Sequence, residues 1–106
     1  LEFDRFFGRD FRQRGGFSCS TPNLILKTLP TEKSLRFGFI ISNKVDNRAT
    51  VRNKIKRRLR EMVRLGLPKI RQKKDVLIVG QKGLAKMSYA EIKKELGGLL
   101  DRTKML

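Results

Sequence analysis

Two adjoining segments, LRFGFIIS at positions 35–42 and RATVRNKIKRRLREMVRL at positions 48–65, decide the fold class. In the first segment apolar residues occupy every odd position, and this period of two predicts a strand. In the second segment apolar residues recur at every third or fourth position from Val51 to Val63, so we predict a helix over roughly 48–65 that ends at the stop signals Gly66 and Pro68. A strand followed directly by a long helix indicates a domain that mixes α and β structure.

Segments N-terminal to this pair predict a helix, a loop and a strand. Phe residues four apart from Phe3 to Phe11 predict a short N-terminal helix. The stretch from Gly15 to Pro22 is rich in Gly and Ser, which predicts a loop. The following LILKTL at 24–29 is predicted to be a strand that pairs with 35–42 as an antiparallel hairpin.

Segments C-terminal to the pair predict one more strand and one more helix. The unbroken apolar run VLIV at 76–79 is typical of a strand that is buried on both faces. Ser88 and Glu91 have the spacing of a capping box, which predicts the start of a second long helix. The resulting order is α-β-β-α-β-α without repeat or linker, so we expect a single α+β domain over 1–106, an α/β sandwich with a mixed sheet.

Composition restricts the classes of function. The 106 residues carry 26 Lys and Arg against 10 Asp and Glu, a formal net charge of +16, which favours a polyanionic partner. No apolar run approaches the ~18 residues that span a bilayer and no signal peptide is evident, so we expect a cytoplasmic protein without a membrane partner. The chain has no His, and its one Cys, Cys19, cannot form an intramolecular disulfide. Catalysis by the protein would therefore depend on carboxylates.

The carboxylates do not form a recognisable catalytic set. A protein that cleaves phosphodiesters generally needs a His pair or a carboxylate cluster that holds Mg²⁺. The ten acidic residues are scattered along the chain, without D-x-D or E-x-x-E pairs on one strand or loop. We therefore assign no catalytic residue and no metal ligand to this chain.

The helix over 48–65 carries the strongest functional signal. Its apolar residues fall on one side, and Asn53, Arg57, Arg60 and Arg64 fall nearly opposite. A charged helix that is merely solvated usually alternates the signs of its charges, but here Glu61 is the one acid, so phosphate binding is the better interpretation. We place Arg52 near the edge of the apolar side, a position suited to clamping a backbone.

This region resembles a known family. KV at 44–45 and ATVRNKIKRRLRE at 49–61 are similar to the signature of the bacterial ribonuclease P protein subunit, whose motif reads R-N-R-x-K-R-x-x-R. Lys54 stands where the family usually has Arg, and Asn43 stands where it commonly has a basic residue. The resemblance extends to 35–38, to 3–7 and to the order of elements. Family members usually begin with a few more basic residues, so we expect this chain, which opens on Leu1 without Met, either to be trimmed or to lack them.

The resemblance implies a function and the partners that it needs. It implies a small protein that binds the catalytic RNA of ribonuclease P and helps that RNA to remove the 5′ leader from precursor tRNA, without a small-molecule substrate. The Mg²⁺ ions of the reaction would be held mainly by the RNA. The resemblance also implies a left-handed βαβ crossover, against the usual right-handed preference.

Two RNA-binding surfaces are expected. The helix should contact the catalytic RNA, and a groove between the N-terminal helix and the sheet should bind the single-stranded leader, because aromatic rings stack on bases of any sequence. Plain core packing is the alternative interpretation of the groove's Phe residues. The catalytic-RNA surface comprises Arg52, Asn53, Lys54, Lys56, Arg57 and Arg60. The leader groove comprises Phe3, Phe7, Ile25, Lys27, Ser42 and Lys44.

Two other classes of binding protein share some of these properties. A structural RNA-binding protein, such as a ribosomal protein, would have the same size, charge and lack of catalytic groups. A DNA-binding protein could use 48–65 as a recognition helix in the major groove. A helix-turn-helix needs an all-α context, and the predicted strands argue against it. The RNA that co-purifies with the protein would distinguish the first alternative from ribonuclease P.

Overall fold

Strands in the part of the chain that the structure describes form one mixed sheet. The structure is a computed structural model that describes residues 3–66 and 73–103. Strand β2 is antiparallel to β1 and to β4, whereas β3 is parallel to β4, and the spatial order is β1-β2-β4-β3. The predicted mixed sheet is confirmed. The strands are β1 Phe17–Ser20, β2 Leu24–Pro30, β3 Arg36–Ile40 and β4 Lys74–Gly80.

Within the described residues, two α-helices accompany the sheet. Helix α1 spans Ala49–Gly66 and helix α2 spans Tyr89–Arg102, with a short 3-10 helix at Lys82–Lys86 between β4 and α2. The helix predicted over 48–65 is therefore confirmed, while the stop signal Pro68 lies outside the described residues. Helix α1 connects the adjacent parallel strands β3 and β4, and the left-handed sense of this crossover stays a prediction.

The start of α2 shows how local sequence determines a helix boundary. Ser88 Oγ accepts a hydrogen bond from the backbone N–H of Glu91 at 3.2 Å, and the Glu91 carboxylate accepts one from the backbone N–H of Ser88 at 2.9 Å. These bonds satisfy two N–H groups that have no partner within the helix. They also hold the pKa of Glu91 below its ordinary value, chiefly because the Ser88 backbone N–H stabilises the carboxylate. The predicted capping box is confirmed.

The sheet is covered on both faces. Val76 and Ile78 of β4 belong to the main core, which contains the buried side chains of α1 and α2. Leu77, between them in sequence, belongs to a second cluster on the opposite face, where it packs with Phe6 and Phe11. The prediction that the run 76–79 is buried on both faces holds for Val76, Leu77 and Ile78, while Val79 is half-buried.

The predicted hairpin between 24–29 and 35–42 is wrong, because β4 lies between β2 and β3. The antiparallel neighbour that adjoins β2 in the chain is β1, in the stretch predicted as a loop. Within β1 only Cys19 is buried, and its neighbours Ser18 and Ser20 are exposed, as expected of a short edge strand. Polar residues with turn propensity therefore concealed a strand that has one buried position.

The N-terminal helix is shorter than predicted. A single 3-10 turn spans Phe3–Phe6, and turns follow up to Gly15. Gly8 has a φ of 105°, in the left-handed region that glycine adopts at low cost, and this ends the helical path. Consequently Phe6 and Phe11 pack onto the sheet, and Phe3 and Phe7 do not.

Candidate nucleic-acid interface

Helix α1 separates an apolar side from a basic side. Its buried residues are Ile55, Leu59, Met62 and Val63, as the periodicity predicted. Because these four positions face the core, the opposite side of the helix projects away from it. This side carries the exposed side chains of Asn53, Lys54, Arg57, Arg60, Glu61 and Arg64, of which Glu61 alone is acidic.

Arg52 has a structural contact at the edge of the basic side. It is half-buried, and its Nη1 donates to the carbonyl oxygens of Asp46 at 3.0 Å and of Asn47 at 2.8 Å. The guanidinium thus clamps the backbone of the protein's own loop before α1. The prediction was that Arg52 would clamp the backbone of the bound RNA. Lys56, another predicted contact, is half-buried on the same helix.

The loop from Ser42 to Arg48 presents further polar groups beside the helix. The Asp46 carboxylate accepts from the Arg48 backbone N–H at 2.8 Å and from the Arg48 guanidinium at 3.1 Å. The hydrogen bonds from the Arg48 side chain are the main reason that the pKa of Asp46 is lowered. The buried side chain of Val45 anchors the loop, so that Lys44 is presented to solvent. The loop therefore has a defined conformation between the two predicted surfaces.

The C-terminal half of the basic side is a cluster of arginines around one acid. Arg57, Arg60, Glu61 and Arg64 line a shallow cavity of about 330 Å³. Glu61 pairs with Arg64 at 3.6 Å, and the Arg60 guanidinium lies 5.8 Å from the centroid of the Phe39 ring. One carboxylate cannot neutralise three guanidinium groups, so this surface keeps a positive charge that suits phosphate.

The predicted leader groove is only partly assembled as one cavity. Ile25, Ser42 and Lys44 line a cavity of about 520 Å³ at the end of β4. Lys27 lies outside that lining, with its Nζ 4.4 Å from the centroid of the Phe7 ring and donating to the Phe6 carbonyl oxygen at 3.2 Å. The structure thus joins three predicted residues in one cavity and two others in a cation–π contact.

The exposure of the rings distinguishes core packing from stacking on bases as the role of the N-terminal Phe residues. Phe3 is 39% exposed and Phe7 is 48% exposed, so plain core packing is wrong for both. Phe11, predicted to be core, is buried. Phe3 does not line the cavity that contains Ile25. Of the two exposed rings, Phe7 is the one in contact with another residue of the predicted groove, Lys27.

Sequence reasoning missed part of this cavity. Gln81 and Lys82 line it together with Ser42 and Lys44. They follow directly after β4, and Ser42 follows shortly after β3, so both pairs lie at the carboxyl ends of parallel strands. The sequence signal for these two residues was that a polar pair follows soon after the apolar run 76–79. This signal points to the cavity only when it is known that β3 and β4 are neighbours.

A buried carboxylate holds the N-terminal segment on the sheet. Asp75 on β4 is 1% exposed and accepts two hydrogen bonds from the Arg36 guanidinium, each at 2.8 Å. Arg5 approaches the same carboxylate at 3.5 Å. Because Arg5 lies within the Phe3–Phe6 turn, this ion pair fixes the turn to the sheet.

Metal ligands, membrane spans and the thiol of Cys19 bear on other functions that the described residues could have. Between 3–66 and 73–103, no group of three or more His, Cys, Asp or Glu side chains is placed to hold a metal ion. In the same ranges no helix has the length and apolar character needed to cross a membrane. Cys19 is buried, and burial raises the pKa of its thiol although the Arg102 charge opposes the shift. A thiol of this kind is a weak nucleophile.

Comparisons with known proteins agree on one family. The family model described as Ribonuclease P matches residues 3–104. The "Ribonuclease P protein component" of Ligilactobacillus salivarius is 33% identical over 93 residues, which is 86% of this chain and 81% of that protein. The component of Bacillus velezensis is 32% identical over 106 residues, 98% of this chain and 84% of that protein.

Solved structures extend the similarity to the fold. The ribonuclease P protein of Staphylococcus aureus has a TM-score of 0.79 at 26% identity, and the match covers 91% of this chain and 90% of that one. The protein of Thermotoga maritima, in complex with 1-(4-fluorophenyl)-2-thiourea, has a TM-score of 0.77 at 25% identity, covering 96% and 98%. With the signature in α1 and a matching fold, the chain belongs to the ribonuclease P protein family.

Proposed function

We propose that this chain is the protein subunit of ribonuclease P, that it binds the catalytic RNA and the 5′ leader of precursor tRNA, and that it promotes Mg²⁺-dependent removal of the leader in the cytoplasm. The observation that carries the proposal is the exposed basic side of α1, in a chain of the ribonuclease P protein family. The loop from Ser42 to Arg48 connects this helix to the cavity that contains Lys44.

The basic side of α1 suits the backbone of a folded RNA. Arg57, Arg60 and Arg64 present planar guanidinium groups, which bind phosphate oxygens in pairs. Each phosphate that they neutralise releases counterions, and this release drives binding at low salt. Neither phosphate binding nor counterion release depends on the base sequence of the RNA. We therefore assign α1 to the catalytic RNA, which every substrate would share.

The groove suits an unpaired strand. One face of the Phe7 ring is covered by the Lys27 ammonium, while nearly half of the side chain is open to solvent. An open ring face can stack on an unpaired base, and Lys44 and Lys82 can attract the adjoining phosphates. A leader is unpaired, whereas the acceptor stem of mature tRNA is not, so this surface would distinguish the precursor from the product.

Catalysis is assigned to the RNA in this proposal. The described residues do not provide a carboxylate cluster for a metal ion, so the Mg²⁺ of the reaction is proposed to be held mainly by the RNA. The ions supply the electrostatic stabilisation that phosphodiester hydrolysis needs. The protein contributes binding of the leader and positive charge, with a formal net charge of +16.

Reconstitution with and without the catalytic RNA tests the proposed function. We expect the protein alone to leave precursor tRNA intact and to accelerate cleavage by the RNA at low Mg²⁺, because its charge replaces part of the counterion atmosphere. Raising the Mg²⁺ or monovalent salt concentration should reduce the acceleration. Cleavage by the protein alone would contradict the proposal. Co-purification with ribosomal RNA in place of one defined RNA would favour a ribosomal protein.

Single substitutions on α1 should weaken assembly with the catalytic RNA. Arg57→Ala and Arg60→Ala each remove an exposed cation, so each should flatten the slope of log affinity against log salt by roughly 0.7 to 0.9 per lost phosphate contact. The slope is obtained from binding titrations at several salt concentrations. Lys93→Ala, which removes an exposed charge from α2, is the matched control and should leave the slope unchanged. Equal slopes for all variants would place α1 off the interface.

The groove is tested by Phe7→Ala. Loss of the ring should weaken binding of the holoenzyme to precursor tRNA by about 1 to 3 kcal/mol, because one stacked base is lost. Mature tRNA should bind nearly as before. Lys44→Ala is the electrostatic control, and its effect on leader binding should fade with added salt while that of Phe7→Ala persists. Equal weakening of precursor and mature tRNA would remove Phe7 from the leader groove.

A further inference from the structure

Arg52 belongs to the surface predicted for the catalytic RNA, but one end of its guanidinium binds the protein itself. Its Nη1 carries two N–H bonds, and the carbonyl oxygens of Asp46 and Asn47 accept them at 3.0 Å and 2.8 Å. The side chain is half-buried, whereas Asn53 and Arg57 on the same helix are exposed. Because Nη1 is engaged in this way, the end of the guanidinium does not offer phosphate a pair of donors from Nη1 and Nη2.

The position of Arg52 on α1 accounts for these two hydrogen bonds. Arg52 lies in the first turn of the helix, which begins at Ala49. Side chains of a helix lean toward its N-terminus, so a long side chain in the first turn reaches back over the preceding loop. The same lean carries Arg57 and Arg60, which lie more than one turn further along, over the helix itself. Arg52 is therefore placed to hold the loop, and these two arginines are not.

The loop that Arg52 holds carries two residues of the predicted leader groove. Ser42 and Lys44 both line the cavity of about 520 Å³ at the end of β4. A turn joins them, because Ser42 Oγ accepts a hydrogen bond from the Lys44 backbone N–H at 3.3 Å and the Ser42 carbonyl oxygen accepts one from the Val45 N–H at 3.0 Å. Lys44 also lines a second cavity, of about 530 Å³, which is formed by residues 43–48. The two carbonyls bound by Arg52 thus lie close to Lys44 on one short loop.

Val45 and Arg52 anchor this loop in different ways. The Val45 side chain is buried in the main core and fixes the depth of the loop. An apolar contact has no preferred direction, so it does not fix how the loop turns about that point. Hydrogen bonds are directional, and those from Arg52 hold the Asp46 and Asn47 carbonyls toward α1. We therefore expect the direction in which Lys44 leaves the loop to depend on Arg52.

We propose that Arg52 is a positioning residue for leader binding: by holding the carbonyls of Asp46 and Asn47, it directs Lys44 into the cavity where the leader phosphates bind. The proposal rests on the proposed function, which assigns Lys44 to the leader and the exposed side of α1 to the catalytic RNA. It divides the arginines of the helix between two tasks. The exposed Arg57 binds the catalytic RNA, whereas Arg52 acts on the leader through the loop.

Matched glutamine variants test the two tasks. Gln keeps the first part of the aliphatic stem and a good helix propensity, but it is uncharged and too short to reach the two carbonyls. In assembly with the catalytic RNA, Arg57→Gln should flatten the slope of log affinity against log salt by roughly 0.7 to 0.9, while Arg52→Gln should leave the slope close to that of the wild type. In the holoenzyme, Arg52→Gln should lower the preference for precursor over mature tRNA roughly 2- to 10-fold, the effect of one lost hydrogen bond. Arg57→Gln should leave this preference unchanged.

A double-mutant cycle with Lys44→Ala tests whether Arg52 acts through Lys44. The preference for precursor over mature tRNA is measured at low salt, where the Lys44 charge is least screened. In a chain that already carries Lys44→Ala, Arg52→Gln should cause little further loss of the preference. Losses that multiply would show that the two residues act independently and would overturn the proposal. A general weakening of the fold would also act independently of Lys44, so the cycle separates positioning from a merely structural role.

The remaining outcomes separate this proposal from the proposed function. A flattened salt slope for Arg52→Gln with the preference retained would make Arg52 a contact for the catalytic RNA and overturn the proposal. Two unchanged measurements would overturn it as well. A wild-type holoenzyme that does not prefer precursor to mature tRNA contradicts the proposed function itself. Should Arg52→Gln unfold the protein, as read by thermal melting, Arg52→Met, which keeps an apolar stem and removes the donors, is measured in its place and decides.

Discussion

Asp75→Ala is expected to lower the free energy of unfolding by about 2 to 4 kcal/mol. Removing one partner of a buried ion pair leaves the other charge uncompensated, which typically costs about 3 to 5 kcal/mol. We expect a smaller loss of unfolding free energy for Asp75→Ala, because the side chains of Arg5 and Arg36 are each about a third exposed and can recover some hydration. Urea denaturation followed by circular dichroism measures the loss. The substitution should also free the Phe3–Phe6 turn, which limited proteolysis would detect.

The surface pair of Asp10 and Arg14 provides the matched control. Arg14 Nη2 lies 2.9 Å from Asp10 Oδ2, but both side chains are about half exposed, so solvent screens the attraction between the two charges. Asp10→Ala should therefore cost at most about 1 kcal/mol. Equal losses for Asp75→Ala and Asp10→Ala would show that burial of the Asp75 carboxylate does not matter to stability.

Leu59→Ala is expected to cost about 2 to 5 kcal/mol of unfolding free energy, because truncating a buried Leu removes apolar contacts and leaves a cavity. Leu59 is 0% exposed and packs within the main core between the sheet and the helices. Arg57→Ala, two residues away on the opposite side of α1, should change stability by no more than about 0.5 kcal/mol. Chemical denaturation of both variants makes the comparison, and a large loss for Arg57→Ala would assign that residue a structural role.

Local patterns predicted α1 and α2 well. The apolar stripe of α1 has the helical period over its whole length, and the Ser88 capping box acts within one turn. Both signals depend on residues that are close in sequence, so no knowledge of tertiary structure was needed. The exposure of Arg57 and Arg60 followed from the same stripe.

Pairing between distant segments was not accessible to the same reasoning. Periodicity marks 24–29, 35–42 and 76–79 as strands, but any of them can form a ladder with any other, and proximity in the chain wrongly favoured the first two. The wrong strand pairing also made the prediction of the site incomplete, because Lys82 lies beside Ser42 in the cavity only when β3 and β4 are neighbours. The role of Arg52 was hidden for a related reason, since its hydrogen bonds go to backbone carbonyls that carry no sequence signal.

The position of β4 in the sheet has a consequence for how the chain folds during synthesis. Strand β4 pairs with both β2 and β3, yet it is the last of the described strands to leave the ribosome. Until Lys74–Gly80 emerges, β2 and β3 have no common partner and the apolar stripe of α1 has no complete sheet to cover. Contacts of such large sequence separation close slowly, because the loop entropy is lost before the contacts form. The basic segment of α1 therefore leaves the ribosome before the domain that presents it can fold.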